Sequence, residues 1–251
     1  MIRLRQICLV ARDRDAVVDD LCAVFGLRVG YNDPHIHRLG LHNAVIPVGD
    51  QFLEVVAPIT DNTTAERYLT KRGGDSGYML IFQTDDFASH RSRVDEMSIR
   101  IVADYGAPGF VNMQLHPADT GGTFVEIDEQ TPSDDWHPAG PAWRDAIDTS
   151  VALRFGQADV GCIDLESVSA RWGRLMDLPV TIGRNCGMHK VRPIDFCVRF
   201  TPAGPRGEGL DAVDIVVRDP AEVLRQASER GLPTDDHAVT IGGVRFNTVA
   251  A

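Results

Sequence analysis

Residues Leu4 to Val29, LRQICLVARDRDAVVDDLCAVFGLRV, decide how the rest of the chain is read. An apolar run of strand length stops at Asp13, an amphipathic stretch covers Arg14 to Phe25, and Gly26 leads into the exit Leu27-Arg28-Val29. This is a strand followed by a helix. Asp13 sits where one hands over to the other, so its side chain can accept from the open N–H groups of the first helical turn, and its charge suits the helix dipole.

The pattern returns three times. Tyr78 to Val102 repeats it with Asp85-Asp86 and a predicted helix from Phe87 to Met97, and Leu153 to Val180 repeats it with Asp164. Leu210 to Leu232 does so through Asp219-Pro220, where proline fits the first helical turn. Hairpin-like pairs lie between these units: Leu41 to Pro47 with Phe52 to Val56 around Gly49-Asp50, and Phe110 to His116 with Thr123 to Ile127 around Asp119-Thr120-Gly121-Gly122. Fainter hairpins are expected near Val191 with Asp195 to Thr201, and at Ala238 to Ile241 with Val244 to Val249. The predicted fold is α+β, four βαβββ modules arranged as two pairs.

Sliding the first unit by 151 residues sets Gln6 on Gln157 and Asp13 on Asp164, and sliding the second by 133 sets Asp86 on Asp219. Odd units therefore resemble odd units, as an ancestral pair duplicated in tandem would. The stretch rich in Pro, Asp and Trp after Gln130 reads as the connection. The expected organisation is a module pair over 1–129, a linker over 130–150 and a second pair over 151–251.

At 251 residues, with 43% hydrophobic and 24% charged residues, the composition is that of a globular chain. No run approaches ~20 apolar residues, and the N-terminus enters a strand directly, so a cytoplasmic protein without membrane contact is expected. The five cysteines, Cys8, Cys22, Cys162, Cys186 and Cys197, are odd in number, lack a CxxC pair and read as small hydrophobes. A net charge of -11 disfavours nucleic acid as a partner and favours a small-molecule ligand. A homodimer is a further expectation, with the 151–251 pair as a part that could mediate association.

The tandem of strand, helix and hairpin resembles the vicinal oxygen chelate superfamily, the glyoxalase-like proteins. Two segments carry the resemblance: Leu115 to Glu126, LHPADTGGTFVE, similar to the final hairpin of the epimerase branch, and Gly40 to Val56, GLHNAVIPVGDQFLEVV, similar to a first-module hairpin. It implies two paired glyoxalase-like domains and a divalent metal held by one residue from each first and each last strand of a pair. Those positions are Gln6, Glu54, Met79 and Glu126. Metal-binding members carry His where Gln6 and Met79 stand, and a thioether is a poor ligand for hard ions, which leaves Gln6, Glu54 and Glu126 as the expected metal set.

Without metal, Glu54 and Glu126 are the catalytic candidates, as carboxylates whose surroundings set one to hold a proton and the other to stay charged. The bland alternative is a pair of solvent-facing strand residues. Asn43 joins them because a two-residue Gly49-Asp50 turn pairs Val45 with Glu54, and alternation then places Asn43 on the Glu54 face. A turn-stabilising amide is its other reading. Tyr78 and Met79 are candidate walls for a ligand, or simply core. His116 is a candidate ligand contact, or a side chain that braces its loop. His35 and His37 would chelate if strand-like, but Asp33-Pro34 points to a loop. In the second half a shift of 144 residues sets Glu54 on Val198, Val244-Arg245-Phe246 takes the place of Glu126, and the 151–251 pair reads as degenerate.

Two function classes follow. One is an enzyme of isomerase, lyase or dioxygenase type acting on a small carbonyl or enolisable compound. The other is a protein of the bleomycin-resistance type that sequesters a small molecule.

Overall fold

The four aspartates at the strand ends cap helices. Asp13, Asp86, Asp164 and Asp219 accept from the backbone N–H three residues on, Ala16 at 3.1 Å, Ser89 at 3.2 Å, Ser167 at 2.9 Å and Glu222 at 3.1 Å. Each satisfies a donor that the helix itself cannot. The structure is a computed structural model, and it describes residues 1–183 and 188–251.

The first module consists of β1 (Ile2–Val10), α1 (Arg14–Phe25), β2 (Leu41–Val48) and β3 (Gln51–Pro58). A helix that the sequence reading did not contain, α2 (Thr64–Arg72), leads to the second module: β4 (Ser76–Thr84), α3 (Phe87–Glu96), β5 (Ile101–Ala107), β6 (Phe110–Leu115) and β7 (Phe124–Gln130). The third contains β8 (Ala152–Cys162), α4 (Leu165–Met176), β9 (Thr181–Ile182), β10 (His189–Val191) and β11 (Cys197–Pro202). The fourth contains β12 (Gly209–Val217), α5 (Pro220–Glu229), β13 (Ala238–Ile241) and β14 (Val244–Ala250).

The full βαβββ pattern therefore appears in the two inner modules. In the outer ones the strand after the helix shrinks to a single bridge, Tyr31 to Val45 in the first and Thr234 to Val239 in the fourth. In strand content the modules match from the outside in, a relation different from the odd and even similarity of the sequence.

Two seven-stranded sheets result, in the orders β2-β3-β1-β4-β7-β6-β5 and β13-β14-β12-β8-β11-β10-β9. In each module the last strand runs parallel to the first and antiparallel to the one before it, as β3 does beside β1 and β2. Gly49 takes the left-handed conformation at φ 65°, and the turn it makes with Asp50 sets Val45 opposite Glu54 as expected.

Contacts group the chain into two compact units, each drawing on both halves of the sequence. One comprises Met1–Arg5, Met79–His137 and Gln157–Leu210. Within it α3 packs on α4, His90 Nδ1 lies 2.9 Å from the Leu175 carbonyl oxygen, and Trp172 sits edge-on between Phe82 and Phe200. Trp136 of the expected linker is fully buried here, against Phe110 and the Arg5 guanidinium. The other unit comprises Gln6–Tyr78, Pro138–Gly156 and Asp211–Ala251. There α1 packs on α5, Phe25 meets Phe246 with ring centroids 5.3 Å apart, Trp143 sets its edge on Phe52, and the buried Arg72 pairs with Asp211.

Cys8, Cys162 and Cys197 are buried and Cys22 half-buried, none of the four in a disulfide, and Cys186 lies outside the described residues. Among the described residues no helix is long and apolar enough to cross a membrane.

Candidate functional site

Glu54 lies on β3 in a register that places it opposite Cys8 on β1 and Val45 on β2. Because alternate residues share a sheet face, Gln6, Cys8, Asn43 and Glu54 form one group. Gln6 Nε2 donates to Glu54 Oε2 at 2.8 Å, and Asn43 Nδ2 donates to Glu54 Oε1 at 2.7 Å. Asn43 in turn accepts from the Asp33 N–H at 2.8 Å, which ties the preceding loop to the carboxylate. Burial pushes the Glu54 carboxyl above its ordinary range; hydrogen bonds from Asn43, Cys8 and Gln6 pull it partly back, and the charge of Asp33 adds to the rise.

Tyr78 belongs to the same compact unit. Its ring lies edge-on to Tyr68 of α2 at 5.0 Å between centroids, and burial, reinforced by the charges of Cys8, Tyr68 and Glu54, keeps its phenol protonated.

Glu126 lies on β7 in the other unit. Asn112 Nδ2 on β6 donates to Glu126 Oε1 at 2.9 Å. Two residues along the same strand, and so on the same face, stands Asp128, directly opposite Asn112 and beside Gln83 of β4. Glu126 is 4% exposed and Asp128 0%. Burial holds the Asp128 carboxyl well above the usual carboxylate range, and the neighbouring Glu126 raises it further. Asp128 was not among the sequence candidates. The signal was present in FVEIDEQ, where Phe124, Glu126, Asp128 and Gln130 alternate with the apolar Val125 and Ile127.

Met79 is buried on β4, two residues from Ile81, which pairs with Glu126. His116 braces its loop: its Nδ1 accepts from the Ala118 N–H at 3.1 Å at the start of a 3-10 turn. His35 and His37 belong to an exposed loop and 3-10 turn instead of a strand, so the alternation that would aim both rings one way does not exist.

The pairing of the second half corrects two expected correspondences. Gln6 faces Phe52 and Gln157 faces Cys197. Glu54 therefore corresponds to Arg199, a shift of 145 residues, and not to Val198. Arg199 pairs with Asp159, donating from Nε at 2.8 Å. Ile81 faces Glu126 while its counterpart Asp214 faces Asn247, one residue beyond Val244-Arg245-Phe246. Asn247 Nδ2 donates to Asp214 at 2.8 Å and accepts from Arg245 Nε at 2.8 Å. All four equivalent positions thus carry polar side chains with bonded partners on their own faces.

The divalent ion implied at Gln6, Glu54, Met79 and Glu126 does not fit the residues present. Gln6 turns its donor and not its carbonyl oxygen to the Glu54 carboxylate, and Met79 offers a thioether. Among the described residues no group of three or more His, Cys, Asp or Glu is placed to hold a metal.

No protein-family model matches the chain, and no curated protein matches it. Solved structures do. A hypothetical protein from Staphylococcus aureus is 12% identical, with TM-score 0.70 over 100% of both chains. A mutant of 4-hydroxymandelate synthase from Streptomyces coelicolor is 14% identical, with TM-score 0.69 over 98% of this chain and 92% of that one. A methylmalonyl-CoA epimerase variant from Streptomyces coelicolor, in complex with 2-nitronate-propionyl-CoA, is 22% identical over 51% of this chain and 96% of that one, at TM-score 0.45.

Proposed function

We propose that this chain, whose fold is that of the vicinal oxygen chelate superfamily, is an enzyme that moves a proton on a small enolisable carbonyl compound, with Glu54 as the acid-base group. The observation that carries this reading is a partly buried carboxyl held at both oxygens by side-chain amides. Each carboxylate oxygen has two lone pairs, so an amide on each still leaves room to take a proton. Gln6 and Asn43 fix the direction of the carboxylate and stabilise its charged form. Burial acts the other way and brings the group towards the range where general acid-base catalysis works best.

In the proposed step Glu54 takes the proton from the carbon beside the carbonyl. The carboxylate becomes a carboxylic acid, the C–H electron pair passes into the enolate, and return of the proton to the neighbouring carbon completes an isomerisation, whereas return to the same face of the same carbon gives exchange with solvent alone. Isomerase and lyase types both begin this way. The full-length structural likeness to a synthase supports the fold on which such a site is built. The reaction is proposed from the Glu54 group itself.

The test is deuterium exchange. The purified full chain is incubated in D2O with a panel of small 2-oxo and 3-oxo acids and their esters, and loss of the proton beside the carbonyl is followed by NMR. The expected result is exchange with the native protein and a loss of ~100-fold or more in Glu54→Gln. Exchange undiminished in the variant, panel compounds bound without exchange, as a sequestering protein would bind them, or no exchange with any compound would each overturn it.

A further inference from the structure

Three buried oxygen atoms on one face of the second module lack a hydrogen-bond donor: Asn112 Oδ1, Asp128 Oδ1 and Asp128 Oδ2. Asn112 and Asp128 are direct partners across β6 and β7, so their side chains leave the sheet side by side. Glu126, on the same face, brings a second carboxylate. Buried acceptors are normally satisfied, and three such atoms in one place call for a common explanation.

Reorienting Asn112 does not supply one. Its Nδ2 donates to Glu126, and turning the amide over would set its oxygen against that carboxylate. A proton on Asp128 would serve one contact with Glu126, leaving Asn112 Oδ1 and the second Asp128 oxygen without a partner. A hard cation serves all three oxygens at once and neutralises two adjacent buried carboxylates. The ligand atoms are carboxylate and amide oxygens with no imidazole or thiol among them, a donor set suited to Ca2+ or Mg2+ and poorly suited to zinc or copper.

We propose that Asn112, Glu126 and Asp128 form a binding site for a hard divalent cation, Ca2+ or Mg2+. The site lies on one β-hairpin, shares only Glu126 with the four positions tested above, and needs neither Gln6 nor Met79. Water would complete the coordination shell, and binding to the folded chain would stabilise it by mass action.

The full chain, stripped with EDTA, is dialysed against CaCl2 or MgCl2. Bound ion is measured by elemental analysis, and thermal unfolding is followed with and without the ion. The expected result is one ion per chain, a higher Tm with the ion, and binding weakened ~10-fold or more in both Asp128→Asn and Asn112→Leu. The second variant changes no charge, so the proposal stays testable should the first fail to fold. Glu54→Gln should retain the ion, which separates this proposal from the acid-base reading. Absence of uptake by the native chain overturns the site, as does equal uptake by the folded variants. So does an ion-free native chain that Asp128→Asn stabilises, which would mark a shared proton instead.

Discussion

At Glu54 the energetics of one residue can be followed into pH dependence. Its folded-state pKa is raised above the ordinary 4.5, chiefly by burial. The folded chain therefore holds a proton that the unfolded chain releases earlier. This contribution to stability is complete below the unfolded value and is lost as pH rises through the folded one. Urea unfolding across pH 4 to 8 should show native stability falling more steeply on the alkaline side than that of Glu54→Gln, and parallel curves would refute the assignment. Asn43→Ala removes a donor to Glu54 and the acceptor for the Asp33 N–H. It should cost about 1–3 kcal/mol in the same measurement, and should raise the Glu54 pKa further in a carboxyl NMR titration. The pairing of Asn43 with Glu54 was legible in the sequence because a two-residue turn fixes register. Asp128 was not singled out, although it sits two positions from a residue that was, because its significance comes from burial beneath packed neighbours.

Among elements, the helix starts were the most legible feature, since an aspartate between an apolar run and an amphipathic stretch has one obvious use. Asp164 offers a clean measure of it, as its side chain accepts from the Ser167 N–H. Asp164→Ala should cost about 1 kcal/mol of unfolding free energy, and Asp164→Ser should recover most of it. Strand register was harder to read. A shift of 144 in place of 145 residues between related hairpins turned Glu54 onto Val198, a residue of the opposite face, where the structure sets Arg199. A one-residue slip reverses every side chain of a strand, and loop lengths between repeats cannot reveal it. The correction has a thermodynamic consequence. Arg199 holds the buried Asp159 in an ion pair, so Arg199→Met should destabilise the chain by about 2–3 kcal/mol in chemical denaturation. A change within ~0.5 kcal/mol would make the position ordinary surface.

For the whole molecule the repeat itself was readable, because each copy restarts the same strand and helix pattern. Which copies share a compact unit was not, since the apolar face of a helix does not say which other helix will cover it. Each unit combines segments from both halves of the chain: α1 packs with α5 in one, and α3 with α4 in the other. The ties are specific. Phe25 meets Phe246, and Arg230 bonds Asp19 and Asp20 in the first case; Arg93 bonds Asp177, and His90 lies against the Leu175 carbonyl in the second. A fragment of residues 1–129 keeps its sheet and both of its module helices but loses α4 and α5, which leaves two apolar helix faces open to water. Burial of such faces is worth ~25 cal/mol per Å2, so the fragment should be markedly less stable than the full chain or should self-associate through them. Sedimentation velocity and urea unfolding of the fragment beside the full chain decide it. A monomeric fragment unfolding at the same urea concentration as the full chain would mean that each half of the sequence is sufficient by itself, and that the contacts between α1 and α5 and between α3 and α4 add little. Addition of residues 151–251 in trans should otherwise restore cooperative unfolding, because it returns the missing helix to each unit.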